Sequence, residues 1–206
     1  MLKILGRNSS INVMKVLWAC EELSLPFTRV DVGGAFAFKN EPNYLKLNPN
    51  GRVPTIDDGG FIMYESNAIV RYLASTYGDG KLLPKGKARW IGEQWMDWQQ
   101  TTLLAPMSTV FWQLVRTEPA KRDLAGVAAA HKTLLGLWPF VEEHLSRNAF
   151  IAGESFSMAD IPVGCLAYRW FAFEGLERPP LQHLEAWWKK LKERPGYQKH
   201  LFLPMV

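Results

Sequence analysis

Strand signal runs through the first eighty or so residues of this 206-residue chain and then all but stops. LKILG (2–6) and PFTRVDV (26–32) read as strands, rich in β-branched, aromatic and aliphatic residues. Between them Val13, Val16, Leu17 and Cys20 fall on one face of a helix over Asn12–Leu23. A Gly-rich loop (33–40) and a short helical turn (42–47) lead into VPTI and FIMY, two strands joined across Asp57-Asp58-Gly59-Gly60, whose composition is that of a hairpin turn. Ser66–Tyr77 then reads as a helix with Ile69, Tyr72 and Leu73 at helical spacing. A strand-helix-strand crossover dictates parallel strands and a hairpin an antiparallel pair. The expectation is a mixed four-stranded sheet with helices packed on it, βαβ joined to ββα, in a domain over residues 1–80.

After GDGKLLPKGKA (78–88) the pattern turns helical, over about 87–116, 121–146, 157–172 and 181–193, giving an all-α domain over 86–206. Pro106 interrupts the first of these, and a kink is expected there because proline lacks the donor N–H and clashes with the preceding turn. SFSMADIPVG places Ser157 and Asp160 at capping-box spacing.

Bulk properties narrow the function classes. The 24 basic residues are scattered against 20 acidic ones, a net charge of +4 that favours small anions and argues against nucleic acid as a partner. No apolar run is read as approaching the roughly 20 residues that span a bilayer, and MLKILGRNSS has no export-signal pattern, so a cytoplasmic protein without a membrane partner is expected. Cys20 and Cys165 are far apart, form no metal-binding cluster and read as buried thiols. The four histidines (131, 144, 183 and 200) all lie in the helical part and GxSxG is absent, which argues against a Ser-His-Asp hydrolase.

Three stretches can hold a ligand. Val53, before a strand that opens with Pro54, has an N–H and a C=O able to pair with an extended peptide; X-Pro bonds are mostly trans, and residues alone favour trans here. Glu65-Ser66 stands at a helix start. Either it caps that helix, or the free N–H groups and the Ser66 hydroxyl take a carboxylate while Glu65 pairs with an ammonium. Ser9 and Ser10, between the first strand and first helix, are either caps or donors to an anion such as a thiolate.

In this order and element context the three stretches resemble the glutathione S-transferase superfamily, in its cytosolic, serine-type, theta-like bacterial form. NPNGRVPTIDDGGFIMYESNAIVRYL is similar to the family's glutathione site, SSINVMKVLWACEELSLPF to its first helix and following strand, and SFSMADIPVG to its capping element. The resemblance covers essentially the whole chain, a thioredoxin-like domain followed by a helical one. It implies a cis Val53–Pro54 bond, Val53 on the cysteinyl backbone of glutathione, and Glu65 and Ser66 on the γ-glutamyl group. It further implies Arg52 as a polar contact, Lys39 and Asn40 on the glycyl carboxylate, and Ser10, with Ser9 as the alternative, as the catalytic hydroxyl. Met107, Phe111, Trp112 and Arg116 would meet a hydrophobic electrophile, beside the Pro106 kink. The implied protein is a detoxifying homodimeric transferase with glutathione as co-substrate and no metal. A glutathione-dependent reductase, dehalogenase or isomerase, or a non-catalytic carrier or assembly module, is the alternative on the same fold.

Overall fold

The computed structural model describes residues 1–33, 40–78, 80–202 and 205, which form two compact units. The first comprises Met1–Leu83 together with a helix near the C-terminus, Pro195–Leu201; the second spans Pro84–Arg194.

In the first unit four strands, β1 (Leu2–Leu5), β2 (Phe27–Val30), β3 (Thr55–Asp58) and β4 (Phe61–Tyr64), form one sheet in the order β2-β1-β3-β4. β1 and β2 are parallel because α1 (Ile11–Glu22) crosses over between them, with Leu5 opposite Val30. β3 runs antiparallel to β1, with Leu5 opposite Thr55. The β3–β4 hairpin is tighter than the sequence suggests: both aspartates belong to β3, and Gly59-Gly60 alone makes the turn. Its φ values of 61° and 97° are ones a side chain would resist, which is why two glycines stand there. α2 (Pro42–Leu47) precedes β3, and α3 (Ser66–Tyr77) follows β4.

α1 is the unit's central helix. Nine consecutive-to-adjacent positions from Ile11 to Cys20 are buried, far more than one amphipathic face. α3 covers one part of it, and α9, the helix Pro195–Leu201, covers another; Trp18 meets Tyr197 edge to face at 5.3 Å. This last helix lies beyond the helices expected from sequence and groups with the first unit, not with the expected 86–206 domain.

The second unit holds α4 (Lys87–Trp98), α5 (Leu104–Phe111), α6 (Leu124–Leu145), α7 (Asp160–Ala172) and α8 (Gln182–Lys192). The stretch from Lys87 to Arg116 stays helical, but wide π turns occupy Gln99–Leu103 and Trp112–Arg116. The irregularity expected at Pro106 thus lies one turn earlier, where the ladder loosens ahead of the residue that cannot donate to it. α6 corrects the reading of apolar runs. At 22 residues it is long and apolar enough to cross a membrane by length and composition, despite its His131-Lys132 interruption. In this unit one stripe of it, Val127, Ala130, Leu134, Trp138, Val141 and Leu145, is buried, and it packs on α5 and α8.

Ser157 and Asp160 at the start of α7 are bonded to each other, but only one half of a capping box forms: the Asp160 carboxylate accepts from the Ser157 N–H, while the Ser157 hydroxyl accepts from Ala159 N–H (3.3 Å) and not from the Asp160 N–H. Asp160 Oδ2 accepts from the Ser157 N–H (2.8 Å) and hydroxyl (3.1 Å), and Oδ1 from the Ile151 N–H (2.9 Å) and the Trp187 indole N–H (2.9 Å). The carboxyl thus ties the segment before α7 to α8. Burial pushes it up to about 6, against the pull of these donors. Asp160→Ala leaves the Ile151, Ser157 and Trp187 donors buried and unpaired, and should cost about 3 kcal/mol or more in a urea unfolding titration.

Cys20 and Cys165 are free and buried. Burial first, and the neighbouring Glu21 second, push the Cys20 thiol up to about 12. Since the raised value keeps the proton on sulfur at every pH below that, Cys20 should resist a thiol-directed disulfide reagent at pH 8 (about four units lower) and react only once denaturant unfolds the chain.

Candidate active site

The sheet register decides what meets at one end of the first unit. Leu5, Val30, Thr55 and Tyr64 lie side by side across the four strands. Just past this row lie the exits of β1, β2 and β4 and the entrance to β3. They bring together Gly6–Ser10, Asp31–Gly33, Arg52–Pro54 and Glu65–Ser66.

Ser10 is the residue before α1, in extended conformation (φ −82°, ψ 122°), and its carbonyl accepts from the N–H groups of Val13 and Met14, both at 2.9 Å. Its hydroxyl makes no capping bond to the helix. Of the two readings of this serine, the cap is therefore not the one its side chain adopts. Ser9 is half-buried and one position further from the helix. The loop holding both is fixed from below. Gly6 N–H donates to Val30 O (2.8 Å) and Arg7 N–H to Val32 O (3.1 Å), while Arg29, paired with Asp31, donates to Gly6 O (3.0 Å). A Cβ at Gly6 would come within 2.5 Å of Val13 and 3.2 Å of Val53, so only glycine lets the strand leave between them.

Val53 is half-buried, and its peptide bond to the buried Pro54 is cis. Among the described residues its own N–H and C=O have no hydrogen-bond partner. The loop around it is held by a set of residues that the sequence reading missed. The Tyr44 hydroxyl donates to Arg52 O (2.6 Å) and lies 2.9 Å from Thr55 Oγ1. Asn48 Nδ2 donates to the same two oxygens at 2.7 and 3.1 Å, and Asn48 Oδ1 accepts from Asn50 N–H at 3.1 Å. All three side chains are buried, and burial raises the Tyr44 phenol above its ordinary range. The one sequence signal was polar residues in a short helix and an Asn-Pro-Asn-Gly turn, which reads as an ordinary loop.

At the start of α3, Glu65 takes φ 73° and ψ 107°, a conformation L residues seldom adopt. Its carbonyl accepts from Ile69 N–H (2.9 Å), but its exposed carboxylate makes no cap. Strain of this kind is retained where a side chain must be presented in one direction. Ser66 is buried: its hydroxyl donates to Asn12 Oδ1 of α1 (3.3 Å) and accepts from the Lys15 ammonium (3.4 Å), which also donates to Asn67 Oδ1 (3.0 Å). Arg52 and Asn40 are exposed, and Lys39 lies outside the described residues.

The remaining expected residues sit on α5 and the π turn after it. Met107 is fully buried and Phe111 nearly so, so both belong to packed interior and not to an open surface. The Phe111 ring lies 3.6 Å from the Arg169 guanidinium and 5.6 Å from that of Arg116, while Trp112 and Arg116 are exposed.

Residues 5–82 match the model of the glutathione S-transferase N-terminal domain and residues 103–195 that of the glutathione S-transferase C-terminal domain. The chain belongs to the glutathione S-transferase family. It is 37% identical to Glutathione S-transferase GstB of Escherichia coli (strain K12) over the full length of both chains. It is 32% identical to Glutathione S-transferase 3 of Zea mays, over 96% of this chain and 92% of that one. Among solved structures it is similar to the theta class glutathione S-transferase of Xanthomonas axonopodis pv. citri with glutathione bound: 41% identity, TM-score 0.95, covering 100% of this chain and 99% of that one. The mixed sheet followed by helices is the family's thioredoxin-like and all-α architecture.

The family's N-terminal match spans the loop that Tyr44, Asn48 and Thr55 hold. Asn48→Ala removes two donors to that loop and leaves its buried surroundings. It should cost on the order of 1 kcal/mol per lost bond in a urea unfolding titration, while leaving the far-ultraviolet circular dichroism of the folded protein unchanged.

Proposed function

We propose that this chain is a glutathione transferase that joins the glutathione sulfur to hydrophobic electrophiles, with Ser10 as the catalytic hydroxyl. The observation that carries the reading is the Ser10 hydroxyl, unused as a cap at the mouth of α1, at the same sheet end as the open backbone groups of Val53. Glutathione is an extended tripeptide with one zwitterionic end and one anionic end, and the four loops offer what it needs. Val53 pairs with the cysteinyl backbone, the first turn of α3 takes the γ-glutamyl carboxylate, and the exposed Glu65 carboxylate takes its ammonium. Arg52, Lys39 and Asn40 are assigned to the peptide's outer polar groups.

The chemistry follows from electrostatics. The glutathione thiol gives its proton to solvent, and the resulting thiolate is stabilised by the Ser10 O–H and the positive end of α1. Sulfur then forms a bond to the electrophilic carbon, and the electron pair of the bond that breaks departs with the leaving group. Trp112 and Arg116, the exposed members of the second unit's set, are assigned to the electrophile; Met107 and Phe111 support them from the interior. A disulfide reductase working through a protein thiol is less well supported, because position 10 is serine and both cysteines are buried. The family reading extends to a cytoplasmic homodimer that detoxifies foreign electrophiles.

Absorbance titration of the bound thiolate tests the reading. Ser10→Ala should raise the thiol pKa by about one unit, equal to about 1.4 kcal/mol, and lower kcat/KM for a model aryl halide about tenfold or more. An unchanged Ser10→Ala enzyme beside an inactive Ser9→Ala enzyme moves the role to Ser9; two unchanged variants overturn the mechanism.

A further inference from the structure

Among the described residues Lys15 is the only lysine with a buried side chain, and it is wholly buried. It lies on α1, little more than one turn beyond Ser10, and its ammonium reaches the other helix: it donates to Ser66 Oγ at 3.4 Å and to Asn67 Oδ1 at 3.0 Å, the first two residues of α3. Withdrawing an ammonium from water is costly, and a lysine serving only to fasten two helices could be replaced by an apolar side chain at little loss. What an apolar side chain could not supply is a unit positive charge directly behind a helix mouth that already has a partial one.

We propose that Lys15 is a positioning residue for ligand charge: its buried ammonium reinforces the positive end of α3, so that this mouth selects a ligand carrying a carboxylate over one that is otherwise identical but lacks it. The inference rests on the assignment of the γ-glutamyl carboxylate to the start of α3. Through Ser66 the same ammonium fixes a hydroxyl orientation. Lys15 donates to Ser66 Oγ, and Ser66 donates onward to Asn12 Oδ1. The backbone N–H groups of the first turn of α3, with the Lys15 field behind them, are then what faces the carboxylate. Burial strengthens that field, since few water dipoles stand between the two charges.

The test crosses a protein change with a ligand change. Glutathione and an analogue with a 4-aminobutyryl group in place of γ-glutamyl differ by the α-carboxylate alone, and each is titrated calorimetrically into wild type and Lys15→Met. Lys15→Met should bind glutathione about tenfold more weakly, equal to about 1.4 kcal/mol, and the analogue within about twofold of wild type. Equal weakening toward both ligands, or toward neither, overturns the proposal and leaves Lys15 a structural tie. Should Lys15→Met not fold, wild type labelled with ¹³Cε-lysine gives the answer. The Lys15 resonance should move with glutathione and stay in place with the analogue; the same response to both overturns the proposal. Wild type binding the two ligands equally tightly, or neither, overturns instead the carboxylate assignment beneath it.

Discussion

One register underlies the site: Leu5 opposite Thr55 in the antiparallel pairing of β1 with β3. Because side chains alternate along a strand, a shift of one residue would turn the buried Ile4 and Ile56 outward and break the core. The same shift would carry Val53 away from the Ser10 loop. The hydrophobic requirement that holds the sheet together is therefore also what aligns the Ser10 loop with Val53, groups far apart along the chain. Gly6 is where the two demands meet, since strand, helix and Val53 approach too closely there for any side chain.

Much of this was legible in the residues because local rules act alone there. Two adjacent glycines at a hairpin, a serine before an apolar helical run and a crossover between two strands each imply their geometry without reference to the rest of the chain. The assignment of Glu65-Ser66 to a helix start rested on such local cues. The bonds that hold the Val53 loop were not legible, because Tyr44, Asn48 and Thr55 act together only once α2 and β3 are folded against each other. Lys15 was hidden for the opposite reason. In sequence it is the polar interruption of an apolar run, and its burial depends on α3 packing over α1. The Pro195–Leu201 helix was missed because seven residues with a glycine inside give little periodicity, and its stability comes from Trp18.

Buried polar groups in the two units are used differently. In the second, Asp160 is saturated by four donors from three segments and acts as a fastener. In the first, polar groups near the sheet end are partly held and partly left open: the Ser10 hydroxyl does not cap its helix, and Val53 retains unpaired backbone among the described residues. Fully paired groups give rigidity; groups left open at a rigid rim are what a ligand can use.

The return of Pro195–Leu201 to α1 has a bearing on how the chain is made. Trp18 is synthesised 179 residues before Tyr197, which covers its edge. Domains that are contiguous in sequence can close while translation continues. This one keeps part of its central helix bare until the whole of the intervening helical unit has been made, an interval in which chaperone protection of that apolar surface is of most value.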